Sequence, residues 1–180
     1  MTGMRTPEVG AAGGGTHRVM ARAFAALRIF TGLVWLSNAL AKVFEVGFYD
    51  WGFLSFNLVT RATAQAIATD AASKTYIAPL GGFYRDVVLP NWGFFGAFLT
   101  VAELAIGLGM VFGVATRLAA VGGLLLLTPI WVMLWPTGGY LWEYPAEDLF
   151  PLVLLAIVPA GRVAGFDRAL AARFGPRWPF

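Results

Sequence analysis

The chain has 180 residues, 58% of them hydrophobic and 13% charged, with a mean hydropathy of +0.70 and a formal charge of +3. Those values lie outside the range of soluble globular domains, and the length suits a single domain. With no cysteine, the chain itself offers no disulfide, thiol nucleophile or iron–sulfur ligand, and its single histidine, His17, leaves no bis-histidine haem or histidine-based metal site.

Residues 1–17 are rich in glycine and small side chains and lack the apolar core of a signal peptide, which predicts a disordered cytoplasmic tail. Gly13 to Gly15 follow no predicted strand, so they do not make a phosphate loop. The first apolar block, 24–46, is long enough to cross about 30 Å of hydrocarbon, which takes about 20 residues. Residues 47–91 then form a connector too long for a simple turn. Within it, Phe48 to Phe53 suggests interfacial aromatic anchoring. Leu58 to Thr69 suggests a short surface helix with Val59, Ala62, Ala66 and Ile67 on one side, and Pro79 to Gly82 a turn.

The second block spans 92–114. Gly109 and Gly113 in it have the spacing of a small-residue packing motif, and Gly122 in the third block, 118–135, is a further small packing residue. Residues 136–145 are again aromatic and turn-rich. The fourth block is short at 149–160, but Pro145 suits a first helical position, so a span near 145–162 is predicted with Glu147 and Asp148 in its first turn. The expected fold is an all-α integral membrane protein. Its domain, 18–164, is a four-helix transmembrane bundle with a long non-cytoplasmic loop between helices 1 and 2, followed by a C-terminal tail, 165–180. Three spans with a re-entrant segment are the alternative.

Basic residues set the orientation. Arg5, Arg18, Arg22 and Arg28 precede or open the first span, Arg117 lies in the turn between spans two and three, and Arg162, Arg168, Arg173 and Arg177 follow the fourth. The other loops carry only Arg61, Lys74 and Arg85 beside several acids. The positive-inside rule therefore puts both termini in the cytoplasm of a multi-pass cell-membrane protein. The positive charge reflects topology, and nucleic-acid binding is not needed to explain it.

Polar residues inside the spans are the informative ones. Arg28, Thr31, Trp35, Asn38, Lys42 and Glu45 recur at intervals of three and four, forming one stripe that must face protein or water. Glu103 is the single acid of span two. A charge at membrane depth costs at least about 2.5 kcal/mol, so such groups are usually paired. At about 1.5 Å per residue, Glu103 lies roughly 16 Å below the boundary near Trp92, and Lys42 and Asn38 lie roughly 7 and 13 Å below the boundary near Gly47. Side chains lean toward their own helix N-terminus, so Lys42 and Glu103 converge; Glu45 is a competing partner for Lys42. The pair is either a structural tie or the polar part of a ligand cavity. The candidate set is Lys42 and Glu103 for chemistry, with Trp35, Asn38, Glu45, Trp131, Glu143 and Tyr144 for binding substrate or quinone. Trp131 and Tyr144 also fit an interfacial aromatic belt with Trp135, Tyr140 and Trp142.

Several stretches carry a family resemblance. They are Trp35-Leu36-Ser37-Asn38-Ala39-Leu40-Ala41-Lys42, Tyr84 to Asn91, Glu103 to Gly109, Thr116 to Ala120, and Gly161-Arg162-Val163-Ala164-Gly165-Phe166-Asp167. In their order and spacing, over roughly Arg18 to Leu170, the chain resembles the DoxX/DoxD membrane proteins. The DoxD branch is the small subunit of thiosulfate:quinone oxidoreductase. The resemblance implies a membrane subunit of a quinone-linked oxidoreductase, with Lys42 and Glu103 as natural site positions, quinone as mobile carrier, and thiosulfate or another small anion as substrate. Sulfur chemistry would fall to a second protein subunit, since this chain has no cysteine. The alternative is a non-catalytic membrane module that binds lipid or scaffolds a redox partner. Expected partners are the bilayer, a second subunit and, as a further option, copies of this chain.

Overall fold

The computed structural model describes residues 10–53, 55–137 and 144–180. In chain order they form α1 (Gly10–Phe44), a hairpin of β1 (Phe48–Asp50) and β2 (Ser55–Asn57), α2 (Arg61–Lys74), α3 (Ala78–Phe83) continuing into a π-turn (Tyr84–Val88), α4 (Trp92–Phe112), α5 (Thr116–Leu134), α6 (Tyr144–Ile157), a 3-10 turn (Ala160–Arg162) and α7 (Asp167–Phe174). α1, α4 and α5 are long and apolar enough to cross a membrane. In hydrocarbon an apolar run must satisfy its backbone internally, and a helix does so within one segment. Phe30, Phe94, Phe98, Val101 and Leu125 project outward from these helices, as lipid-facing side chains would.

α1 and α4 share the most extensive contact and run antiparallel. Their approach is set by small residues. A side chain at Gly107 would begin 2.8 Å from the Leu36 backbone nitrogen, and one at Gly32 would begin 2.7 Å from the Val111 nitrogen. The spacing motif at Gly109 and Gly113 does not make this contact. Gly109 faces Val114 and Ala119, and Gly113 is the left-handed C-cap of α4 at φ 64°. The core is built around Trp35, Ile106, Met110, Ala120, Leu152 and Leu155, drawn from α1, α4, α5 and α6.

At the Lys42 end of the bundle, the segment 47–91 is folded rather than loose. α2 packs through Ala64, Ala68, Ala71 and Ala72, whereas Ala62 and Ala66, expected on the apolar side of a surface helix, are exposed. The alanine spacing of four and seven gives a narrow, small-residue face that allows close packing. Ala71 joins Met133 and Leu134 of α5 in a second cluster, with Ile67, Leu80, Tyr84 and Trp131 around it. The predicted turn at Pro79 is a helical turn: proline is tolerated in a first turn, where its missing N–H has no intrahelical acceptor. Arg85 fastens this turn by donating to the Ala72 carbonyl at 2.6 Å. The aromatic stretch after α1 is part of a hairpin of two three-residue strands with Tyr49 stacked on Phe56.

At the opposite end the structure departs from the expected tails. Residues 10–17 are helical and extend α1; residues 1–9 lie outside the described set. Residues 165–180 contain α7 and fold back, with Arg162 donating to the Phe180 carbonyl at 2.7 Å. α6 covers only 14 residues, fewer than expected, before the 3-10 turn takes over.

Candidate functional site

The stripe on α1 faces α4 and is buried at Arg28, Thr31, Trp35 and Lys42, with Asn38 partly exposed. Lys42 sits in the last turn of α1. Its Nζ lies 2.8 Å from Glu103 Oε2 and donates to the Val59 carbonyl at 2.8 Å. The Val59 N–H in turn donates to Asn38 Oδ1 at 2.9 Å, and Asn38 Nδ2 donates to Val34 O at 3.1 Å. Both backbone polar groups of Val59 are thus held by α1 side chains one turn apart. The Lys42 and Glu103 side chains are 1% and 11% exposed, so the ion pair is closed to solvent. At Glu103 Oε2 the contact is an ion pair without a well-aligned hydrogen bond. Thr100, one turn earlier on α4, is buried, and its hydroxyl returns to the Gly96 carbonyl.

The geometry joins Lys42 to Glu103 and not to Glu45. Glu45 follows the end of α1 with φ 53° and is exposed, because the reversal of the chain there turns it off the stripe. Trp35 is buried in the core among α4, α5 and α6, where its ring meets the backbone of Gly123. Trp131 belongs to the other cluster, with α2. The two rings therefore do not form opposite walls of one chamber. Glu143 and the Tyr144 side chain lie outside the described residues.

A second polar centre closes the other end of the same interface. Arg28, fully buried, donates through Nη1 to the Met110 carbonyl and to Val111 O at 3.1 Å, and through Nη2 to Ala164 O at 2.9 Å. It places a cation at the C-terminus of α4, where unpaired carbonyls and the dipole favour one. Asp167 does the converse for α5. Its carboxylate accepts from the N–H groups of Ala115 at 2.6 Å and Thr116 at 3.0 Å, supplying the cap that Ala115 lacks. Gly113 is required here twice over. Its φ is left-handed, and a side chain would begin 2.6 Å from Arg28 Nη1 and 2.8 Å from Gly165 Cα. A side chain at Gly161 would collide with Asp167 and Thr116. The glycines and aspartate of the 161–167 motif therefore form, with Arg28, a clasp on the α4–α5 turn.

Neither Arg28 nor Asp167 entered the candidate set, since both fitted the basic or tail pattern of a membrane boundary. One signal was available: Arg28 shares the Lys42 stripe and stands between apolar neighbours. An apolar groove of about 550 Å³ runs between α4 and α5, lined by residues such as Phe98, Ala105, Gly109, Leu118 and Gly122. None of the candidate site residues lines it.

Removing one member of a buried ion pair strands the other at a cost of about 3–5 kcal/mol. Lys42→Met and Glu103→Gln should each lower the melting temperature of the detergent-solubilised protein, and the double variant should recover part of the loss. Additive effects of the two substitutions would contradict direct coupling.

Comparison of the chain with protein-family models, with curated proteins and with solved structures gave no match.

Proposed function

We propose that the chain is a non-catalytic membrane subunit, a four-span module that holds a folded outer segment, 47–91, as the docking face for a partner in a quinone-linked oxidoreductase complex. One observation carries the non-catalytic part. Lys42, the group best suited to meet an anionic substrate or a quinone oxygen, is 2% exposed and already engaged by Glu103 and the Val59 carbonyl. A ligand-binding site needs convergent polar groups open to a cavity, and these are spent within the chain. The oxidoreductase context rests on the DoxX/DoxD resemblance of the motifs, and function transfers less readily than fold.

Several features support the topology. In α6, Leu152 and Leu155 are buried while Phe150, Val153 and Ile157 project outward, a pattern suited to a helix with lipid on one side. The 161–167 clasp lies against Arg28, early in the apolar block 24–46, consistent with both termini on one side, and the basic residues mark that side as cytoplasmic. On the opposite side, Phe48, Trp51, Phe53, Tyr76 and Phe83 are exposed on the folded segment. Exposed aromatics of this kind suit either a headgroup layer or a protein partner.

Single cysteines at Thr69 and Ala172, both exposed and clean against a cysteine-free background, should be labelled from opposite sides of the membrane. Labelling from the same side would contradict four spans. For function, short-chain quinones, thiosulfate and sulfite should leave the melting curve of the wild type unchanged, while mild-detergent purification should retain a partner protein. A quinone-induced rise in melting temperature that Lys42→Met abolishes beyond its own destabilisation would overturn the non-catalytic reading, because a ligand at a hundredfold excess over its dissociation constant adds about 2.7 kcal/mol.

A further inference from the structure

Arg61 is held differently from the other basic residues of the 47–91 segment. It stands at the first helical position of α2, after Thr60, and is half-buried with its Nε shielded from solvent. Its Cγ and Cδ lie over Gly96 of α4, each 3.1 Å from the point at which a side chain there would begin. The indole Nε1 of Trp92, one turn earlier on α4, lies 3.1 Å from that same point and is also shielded. Glycine at 96 thus leaves the arginine stem and the indole N–H side by side over bare backbone.

Neither N–H has an acceptor among the described residues. No carboxylate among them pairs with Arg61 either; their ion pairs are Lys42–Glu103 and Lys74–Asp70. Buried donors left without acceptors are costly, and the dipole of α2 opposes a cation in its first turn. Nothing within the described chain offsets either effect, whereas Arg85 and Lys42 in the same region each reach a carbonyl.

These features define what would offset them. The guanidinium calls for an anion, and two N–H donors on separate side chains call for at least two acceptor oxygens. A guanidinium engages phosphate oxygens as a planar fork. Trp92 opens an apolar helix of 21 residues, so it stands where hydrocarbon gives way to headgroups. We propose that Arg61 and Trp92 form a binding site for a phosphate-type oxyanion, supplied either by a phospholipid headgroup or by a free anion. The proposal is independent of the role assigned to Lys42.

The test uses the full chain in a non-ionic detergent. One arm adds inorganic phosphate against sodium chloride of equal ionic strength; the other adds dioleoylphosphatidylglycerol against dioleoylglycerol, which has the same chains and no phosphate. At least one phosphate-bearing probe should raise the melting temperature of the wild type by about 5 °C or more at saturation. Arg61→Gln and Trp92→Phe should each remove most of that shift, and Lys74→Gln, at an exposed pair, should retain it. Trp92→Phe keeps an aromatic ring and deletes the N–H donor, and the melting temperature of each variant without added probe separates loss of binding from loss of folding. A response to phosphatidylglycerol alone assigns the oxyanion to a lipid headgroup, and a response to phosphate as well assigns it to the anion itself. No shift with either probe, or an equal shift in wild type and Trp92→Phe, overturns the proposal.

Discussion

A buried cation in an apolar bundle must meet fixed acceptors, and the α1–α4 interface meets that demand at both ends. Lys42 is neutralised by Glu103 and bonded to the Val59 carbonyl; Arg28 is bonded to carbonyls at the end of α4 and to Ala164. Between them the helices close on Gly32 and Gly107, where neither backbone leaves room for a side chain. The two ties fix the register that these glycines permit. Dispersion alone would not single out this register, since lipid tails are as apolar as the leucines they would replace.

Each tie also recruits a distant part of the chain. The Val59 carbonyl is held by Lys42 and its N–H by Asn38, which anchors the start of α2 and, through its alanine face, the segment packed on Met133 and Leu134. At the other end, Asp167 caps α5 and its N–H returns to the Gly113 carbonyl at 2.7 Å, while Arg28 bonds the residues just before it. Side chains with the chemistry of an active site here make contacts that position backbone. A charge spent in this way favours one arrangement over its neighbours more than it adds net stability, because desolvating the pair offsets much of its attraction.

The long apolar runs made α1, α4 and α5 legible in the sequence, and the three- and four-residue spacing made the polar stripe legible. Depth counting brought Lys42 to Glu103 because each is the charge of its span that lies deep on a facing surface. What remained hidden had weak local signals. A backbone carbonyl such as that of Val59 carries no side-chain signature, so its part in binding Lys42 could not be read. The buried face of α2 is all alanine, which barely registers as hydrophobic periodicity, and the more apolar Val59 and Ile67 drew the reading to another side. Asp167 caps a helix 51 residues away in sequence, a pairing that no local pattern encodes. Gly109 and Gly113 matched a spacing rule, whereas the close approach falls at Gly107 and at Gly32 on the partner helix, where the facing backbone lies nearest.

The central claim is that the Lys42–Glu103 pair serves to hold the segment after α1 onto the bundle. Hydrogen–deuterium exchange of the amides from Val59 to Lys74, compared between wild type and Lys42→Met in the same detergent, tests it most directly. Loss of one tie should deprotect this segment selectively, because local opening reports the free energy of the contacts that hold a segment down. The account predicts faster exchange across the start of α2, with α5 and the 161–167 clasp unchanged. Unchanged protection at Val59 and along α2, in a variant that remains folded, would contradict it.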